Sequence, residues 1–261
     1  MQRKDRKYIL LSFDVEEFDT PLIYKDCIGP NEQLAIGQKG LLNLMKMLAF
    51  HENVKTTFFT TAYFAENFEE TICNISFSHE IASHTCSNSI YQKNDLYLSK
   101  EILEKIISKK VYGLRMPQMQ EVDMDELKSA GYRYDASINP TWIPGRYNNF
   151  KKSRSVFFEE GIVRIPASVS SHLRIPLFWL SFKNLPYPYF KQLALAVLKR
   201  DGYLSLYFHP WEFTDLSPYK IPWFIKRQSK GFLLEKLSRL INDFGGDADF
   251  ISMHEFSLLA R

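Results

Sequence analysis

The chain has no long apolar run, no excess of one charge, no internal repeat and little cysteine. Its 261 residues include three cysteines, Cys27, Cys73 and Cys86, with no CxxC spacing among them. An odd count without paired spacing argues against a disulfide framework and against a zinc ribbon. The first apolar run, Tyr8-Ile-Leu-Leu-Ser-Phe13, stops at Asp14. That is too short for a signal h-region or a membrane span. With the charged stretch Met1 to Lys7 ahead of it, this predicts a cytoplasmic protein with reduced thiols. Lys and Arg total 33 against 30 for Asp and Glu, a net charge of +3 with no basic block. No nucleic-acid partner is therefore expected. No linker or low-complexity tract appears, so residues 1–261 read as one domain.

The chain is rich in apolar and aromatic residues. Hydrophobic residues make up 45%, which excludes a disordered chain, and there are 21 Phe, 14 Tyr and 4 Trp. Short apolar runs alternate with helical periods. Strands are predicted at Tyr8–Phe13, Thr56–Thr60, Glu80–Ser83, Val111–Leu114, Tyr132–Ser137, Gly202–Phe208 and Phe250–Ser252, and a hairpin around Glu159-Glu-Gly161. Helical stripes occur at Leu41–Leu48, Ala62–Glu70, Ile102 to Lys110, Met124–Ala130 (stopped by Gly131), Phe190–Val197 and Phe232–Phe244. Pro176 to Pro188 reads as a proline-broken aromatic loop with a short helix. Strands alternating with helices imply βα units and a mainly parallel sheet. About seven such units predict an α/β fold of barrel type, in which chemistry collects after the C-terminal ends of the strands.

Polar residues follow those strands. In Phe13-Asp14-Val15-Glu16-Glu17, alternation puts Asp14 and Glu16 on one face. Such a pair suits a base beside a cation-binding group, and the plainer reading is two solvated acids. In Ser83-His84-Thr85-Cys86-Ser87-Asn88, His84 and Asn88 stand four apart, a spacing that converges on a helical turn. Imidazole is a good ligand for zinc-like metals and an amide oxygen a poorer one, and a lone histidine is more often a hydrogen-bonded core residue. Arg115, Asp135 and His209 follow or end later strands, where they could equally form structural pairs.

Together these residues resemble the polysaccharide deacetylase family, the NodB-type carbohydrate esterases. Ser12-Phe-Asp14-Val-Glu16 is similar to the family's first motif and Thr56-Thr-Phe-Phe59 to its second-strand signature. Glu80-Ile-Ala-Ser-His84-Thr is similar to its histidine motif and Arg115-Met-Pro117 to its Arg-x-Pro motif. Tyr132-Arg-Tyr-Asp135-Ala-Ser137 and Leu206-Tyr-Phe-His209-Pro look like the last two. The resemblance runs from Lys7 to about Leu259. It implies a distorted (β/α) barrel of about seven parallel strands, and metal-dependent hydrolysis of an N-acetyl or related C–N linked group on a carbohydrate. By that resemblance Asp14 is the base, Glu16 and His84 bind metal, Arg115 holds the base, Asp135 belongs to its supporting network, and His209 is the general acid. A backbone N–H near Gln118 would face the oxyanion, and Trp211 would touch substrate. Val15 departs from the adjacent acid pair of many members. Asn88 stands where the family has a second metal histidine, which predicts a divalent metal, zinc by default, that is weakly held or absent.

Three other readings remain open at this level. One is a metal-free, allantoinase-like amidohydrolase, and another is a catalytically decayed carbohydrate-binding scaffold. The third is a cysteine hydrolase built on Cys86. Membrane association through Ile175–Leu180 and Pro186–Tyr189 competes with those segments lining a sugar groove or packing in the core.

Overall fold

The computed structural model describes residues 6–89, 91–92 and 94–260. Of the charged Met1–Lys7 stretch, residues 1–5 lie outside the described residues. The strands are β1 (Tyr8–Val15), β2 (Thr57–Thr60), β3 (Glu80–Ser83), β4 (Gly113–Leu114), β5 (Tyr134–Asp135), β6 (Trp142–Ile143), β7 (Tyr147–Asn148), β8 (Phe157–Glu159), β9 (Ile162–Arg164), β10 (Tyr203–Phe208) and β11 (Asp249–Phe250). The main sheet runs β10-β1-β2-β3-β4-β5-β9-β8, and β11 pairs with the start of β1. All of these pairings are parallel except β8 with β9. The sheet curls, and the chain after β9 reaches back to β10, where Ser168 N–H donates to the Ser205 carbonyl at 3.0 Å. The result is the distorted (β/α) barrel that the alternating pattern predicts.

Period-two alternation sorts β1 into two cores. Ile9, Leu11, Phe13 and Val15 pack outward against the helices, while Leu10 joins Phe59, Tyr134 and Val163 inside the barrel. Phe13 alone meets the rings of Phe58, Phe208 and Phe213 at 5.3, 6.2 and 6.4 Å. Burying each such ring contributes roughly 1.5–3 kcal/mol. The same alternation puts Ser12 and Asp14 on the inner side.

The helix Pro30–Leu48 covers this strand at very close range. A Cβ at Gly37 would sit 2.6 Å from the Glu16 carbonyl, and one at Gly40 would sit 1.9 Å from that of Pro210. Two glycines on one helix face therefore set the height of the segments carrying Glu16 and His209.

Most predicted elements are present, with shifted ends. The hairpin turn around Glu160-Gly161 is confirmed, both residues having positive φ (48° and 85°), as a tight two-residue turn between twisted strands requires. The helix expected to end in Lys109-Lys110 stops at Ile107, because Ser108 adopts a left-handed conformation (φ 53°). Lys110 lies beyond it and turns back onto Glu104 at 2.8 Å. The hairpin of β6 and β7 and the helices Thr20–Ile23, Trp223–Lys226 and Met253–Leu259 have no counterpart in the sequence reading.

At the end of the barrel away from the predicted site, Glu80 accepts from Thr57 Oγ1 at 2.7 Å, Tyr134 Oη at 2.8 Å and His254 N at 3.0 Å. Burial outweighs these donors and pushes its carboxyl up to about 7 from 4.5. Between those values the folded chain binds a proton that the unfolded chain has released, so stability falls as pH rises through 7. The effect is at most roughly 3 kcal/mol. Glu80→Gln is expected to melt progressively higher than wild type as pH is raised from 5 to 8, by a few degrees. Parallel melting profiles for the two proteins would refute this assignment.

Candidate active site

Most of the predicted residues meet at the C-terminal ends of the strands, around a cavity of about 270 Å³ lined by Asp14, Glu16, His84, Asn88, Gln118, His209 and Trp211 among others. Asp14, near the end of β1, is 3% exposed. Its Oδ1 accepts from Arg115 Nη1 at 2.6 Å, and its Oδ2 lies 3.9 Å from His209 Nε2. Burial alone would raise its pKa, but the charges of Arg115, His84 and His209 hold it below the usual carboxylate range.

Arg115, just past β4, is itself buried. Its Nη1 also donates to Ser12 Oγ at 3.0 Å and its Nε to the Ala136 carbonyl at 3.2 Å. The guanidinium lies over the Phe59 ring at 4.1 Å and the Tyr207 ring at 5.1 Å. A planar cation clamped between π faces and three acceptors can hold Asp14 in a single geometry.

Asp135 does not reach the cavity. It pairs with Arg164 Nε at 3.0 Å and is hydrogen-bonded by Ser137, whose Oγ accepts from Met116 N at 2.8 Å. Its support of Arg115 is therefore indirect, through the backbone of the turn that follows it. In that turn Gln118 and Met119 both have positive φ, 55° and 56°, and the Gln118 side chain is exposed at the cavity edge.

His84, immediately after β3, gives Nδ1 to the Arg115 carbonyl at 2.8 Å and faces Glu16 Oε2 through Nε2 at 3.2 Å. Glu16 Oε1 accepts from Trp211 Nε1 at 3.1 Å. The helical turn expected between His84 and Asn88 does not form. The segment is an irregular loop with Thr85 at φ 65°. Asn88 still lines the cavity, but its Nδ2 donates to Asp19 Oδ1 at 2.9 Å and its N–H to Glu17 Oε1 at 2.8 Å. Burial and the Glu16 charge push Asp19 up to about 6. Among the described residues no group of three or more His, Cys, Asp or Glu side chains is arranged to hold a metal ion. Glu16 and His84 nevertheless fit a divalent cation, because an imidazole whose second nitrogen donates to a carbonyl is the outer contact metal-binding histidines require. Asn88 has only Oδ1 left to add.

His209 follows β10. Its Nδ1 lies 3.2 Å from Glu212 Oε1, and Glu212 lies 3.1 Å from Lys183 Nζ, the last two side chains being fully buried. Burial lowers the histidine's pKa, but the hydrogen bond to Glu212 and the charges of Glu16, Glu212 and Asp14 outweigh it, so the group titrates above 6.5. Trp211, expected at the substrate, is only 2% exposed and stacks on His209 at 4.8 Å and 21°. It positions His209 and Glu16 as well as lining the cavity. Sequence reasoning found no acid for His209. The signal was Glu212 three residues on, which a single turn after Pro210 folds back onto the ring. Lys183 had no such signal, since it comes from the distant helix Trp179–Asn184.

Cys86 does not line the cavity, and burial with Asp95 nearby pushes its thiol up to about 12, which removes the thiolate a cysteine hydrolase needs. Phe178, Trp179 and Leu180 line the cavity and Tyr187 packs in the core, as the groove and core reading of those segments expects. Among the described residues no helix is long and apolar enough to cross a membrane.

No protein-family model matches the sequence, and no curated protein matches it. Solved structures do. A Mycobacterium smegmatis protein assigned as a polysaccharide deacetylase matches with a TM-score of 0.67 at 18% identity, over 98% of this chain and 91% of that one. The chain has the polysaccharide deacetylase fold. An allantoinase matches at 0.63 and 16% identity, over 98% and 91% of the two chains. A CE4 family pseudoenzyme from Bacillus anthracis matches at 0.54 and 10%, over 97% and 66%. The polysaccharide deacetylase fold is thus shared by chains of different activity, and the function has to be argued from the site.

Proposed function

We propose that the protein is a hydrolase that removes an N-acetyl or related C–N linked acyl group from an amino sugar or glycan precursor. The observation that carries this reading is the pair of buried dyads, Asp14–Arg115 and His209–Glu212, whose inner atoms lie 3.9 Å apart across the cavity. A base clamped by a cation and an acid backed by a carboxylate are the two proton-handling groups that amide hydrolysis needs. Asp14 takes a proton from the attacking water. Arg115 keeps Asp14 ionised and oriented. A backbone N–H near Gln118 faces the oxyanion. His209 gives its proton to the departing amine, which would otherwise leave as a poor, strongly basic anion. A divalent ion, zinc by preference because it accepts mixed N and O donors, would be held by Glu16, His84 and Asn88 Oδ1. When bound, it supplies polarisation of the acyl carbonyl and a lower pKa for water.

The test is to incubate purified protein with N-acetylated amino-sugar oligomers and, separately, with allantoin. Release of acetate and a free amine from the former supports the reading. Turnover of allantoin alone favours the amidohydrolase reading, and turnover of neither, with the fold intact, favours a decayed scaffold.

Asn88 discriminates further. Its side chain is tied to Asp19, which leaves the cation two strong donors. Asn88→His is expected to tighten zinc binding by at least ~10-fold, taking the effect of outer-contact changes as a lower guide. A metal-competition titration on wild type and variant measures it. Equal affinities, with equal melting temperatures, would remove residue 88 from the ligand set.

A further inference from the structure

The cavity is bounded on one side by two short helices, Thr20–Ile23 and Trp223–Lys226. Ile23, Tyr24 and Phe224 line the cavity and are also 51%, 37% and 36% exposed. Beside them, Leu22 and Trp223 are 49% and 66% exposed. The two segments are tied together below this rim. Lys220 N–H donates to Asp26 Oδ2 at 2.7 Å, and the Tyr219 ring meets Phe18 at 5.1 Å. Ile23, Tyr24 and Phe224 thus rim the cavity, with Leu22 and Trp223 exposed on the same two helices, and the rim continues into an apolar wall that includes Phe178, Leu180 and Ile225.

Cations are interleaved with these side chains. Lys25, Lys220 and Arg227 are exposed on the same segments, and the Arg227 guanidinium lies 5.9 Å from the Trp223 ring. Among the neighbouring acids, Asp215 is paired with Lys230 at 3.7 Å, while Asp26 accepts from the Lys220 N–H and Glu32 from Tyr219 Oη, so the cations outnumber the unpaired acids only modestly. Exposed aromatic and aliphatic side chains fringed by lysine and arginine make up a membrane-interfacial surface. The apolar tips enter the headgroup boundary and the cations meet anionic lipid. A second copy of the chain fits less well, because a two-fold contact would bring the same cations face to face.

We propose that this rim docks the protein on an anionic lipid bilayer, with the mouth of the cavity held at the headgroup plane. The proposal goes beyond the hydrolase reading and does not depend on it, so Asp14→Asn should bind vesicles as wild type does.

The experiment is co-sedimentation with vesicles of phosphatidylcholine alone or of phosphatidylcholine with phosphatidylglycerol. Wild type is expected to sediment with the anionic vesicles, and less so in high salt. Leu22→Asp with Trp223→Asp should weaken that binding by at least ~10-fold, and Lys25→Glu with Arg227→Glu should remove the preference for phosphatidylglycerol. All four residues are exposed, and unchanged melting temperatures would show that the variants remain folded. The proposal is overturned if wild type stays in the supernatant with both vesicles, or if the folded apolar variant sediments as wild type does. It is also overturned if wild type is a dimer that the apolar variant dissociates, since the rim would then be a self-interface.

Discussion

Asp14→Asn is expected to lower kcat at least ~10²-fold on a confirmed amide substrate, because it deletes the general base. The change also costs stability, although Asp14 stands near a strand end, since Asp14 is 3% exposed and its partner Arg115 is 1% exposed. Neutralising one member of a buried ion pair leaves the other charge undercompensated, and the cost of breaking such a pair reaches ~3–5 kcal/mol. Asn can still accept from Arg115, and Arg115 keeps Ser12 and the Ala136 carbonyl, so the loss should fall below that range. Arg115→Ala removes the clamp entirely and leaves Asp14 buried without its cation, so it should cost more stability than Asp14→Asn. Arg115→Lys is the better probe of positioning. The measurement is kcat together with melting temperature for all three variants. Near-native turnover by a folded Asp14→Asn protein would sink the assigned mechanism.

His209→Ala should lower turnover of amides by ~10²–10⁴-fold and that of activated esters far less, because only the amine leaving group needs a proton. Equal losses on both would assign His209 a positioning role. Glu212 adds a second readout. It raises the histidine's pKa above 6.5 by hydrogen bond and charge. His209 is competent as an acid only below its pKa, so activity should fall as pH rises through that value. Glu212→Gln removes the negative charge and should move the alkaline limb of kcat toward lower pH. It also leaves Lys183 buried without its carboxylate, so melting temperature must be followed alongside. An unmoved alkaline limb in a folded Glu212→Gln protein would mean that another group titrates there.

Much of this site was legible in the sequence because strand geometry is local. Alternation in Phe13-Asp14-Val15-Glu16 assigns faces before any tertiary contact is known, and the cavity holds Asp14 and Glu16 while Val15 packs in the outer core. The alternation of strands and helices likewise determined a mainly parallel barrel, and with it the end where His84, Arg115 and His209 would meet. Side-chain partners were decided only in three dimensions. Asp135 lies at the end of a barrel strand like the others, yet it bonds Arg164 and Ser137, because its direction depends on the register of β5 against β9. Asn88 keeps the expected spacing from His84, yet Thr85 breaks the helical turn and Asp19 captures the amide. Lys183 reaches Glu212 from the short helix expected within the proline-broken aromatic segment, and nothing in the local pattern says that this helix packs against the turn after β10. Periodicity reports which way a residue faces, and only packing reports which distant group it meets there.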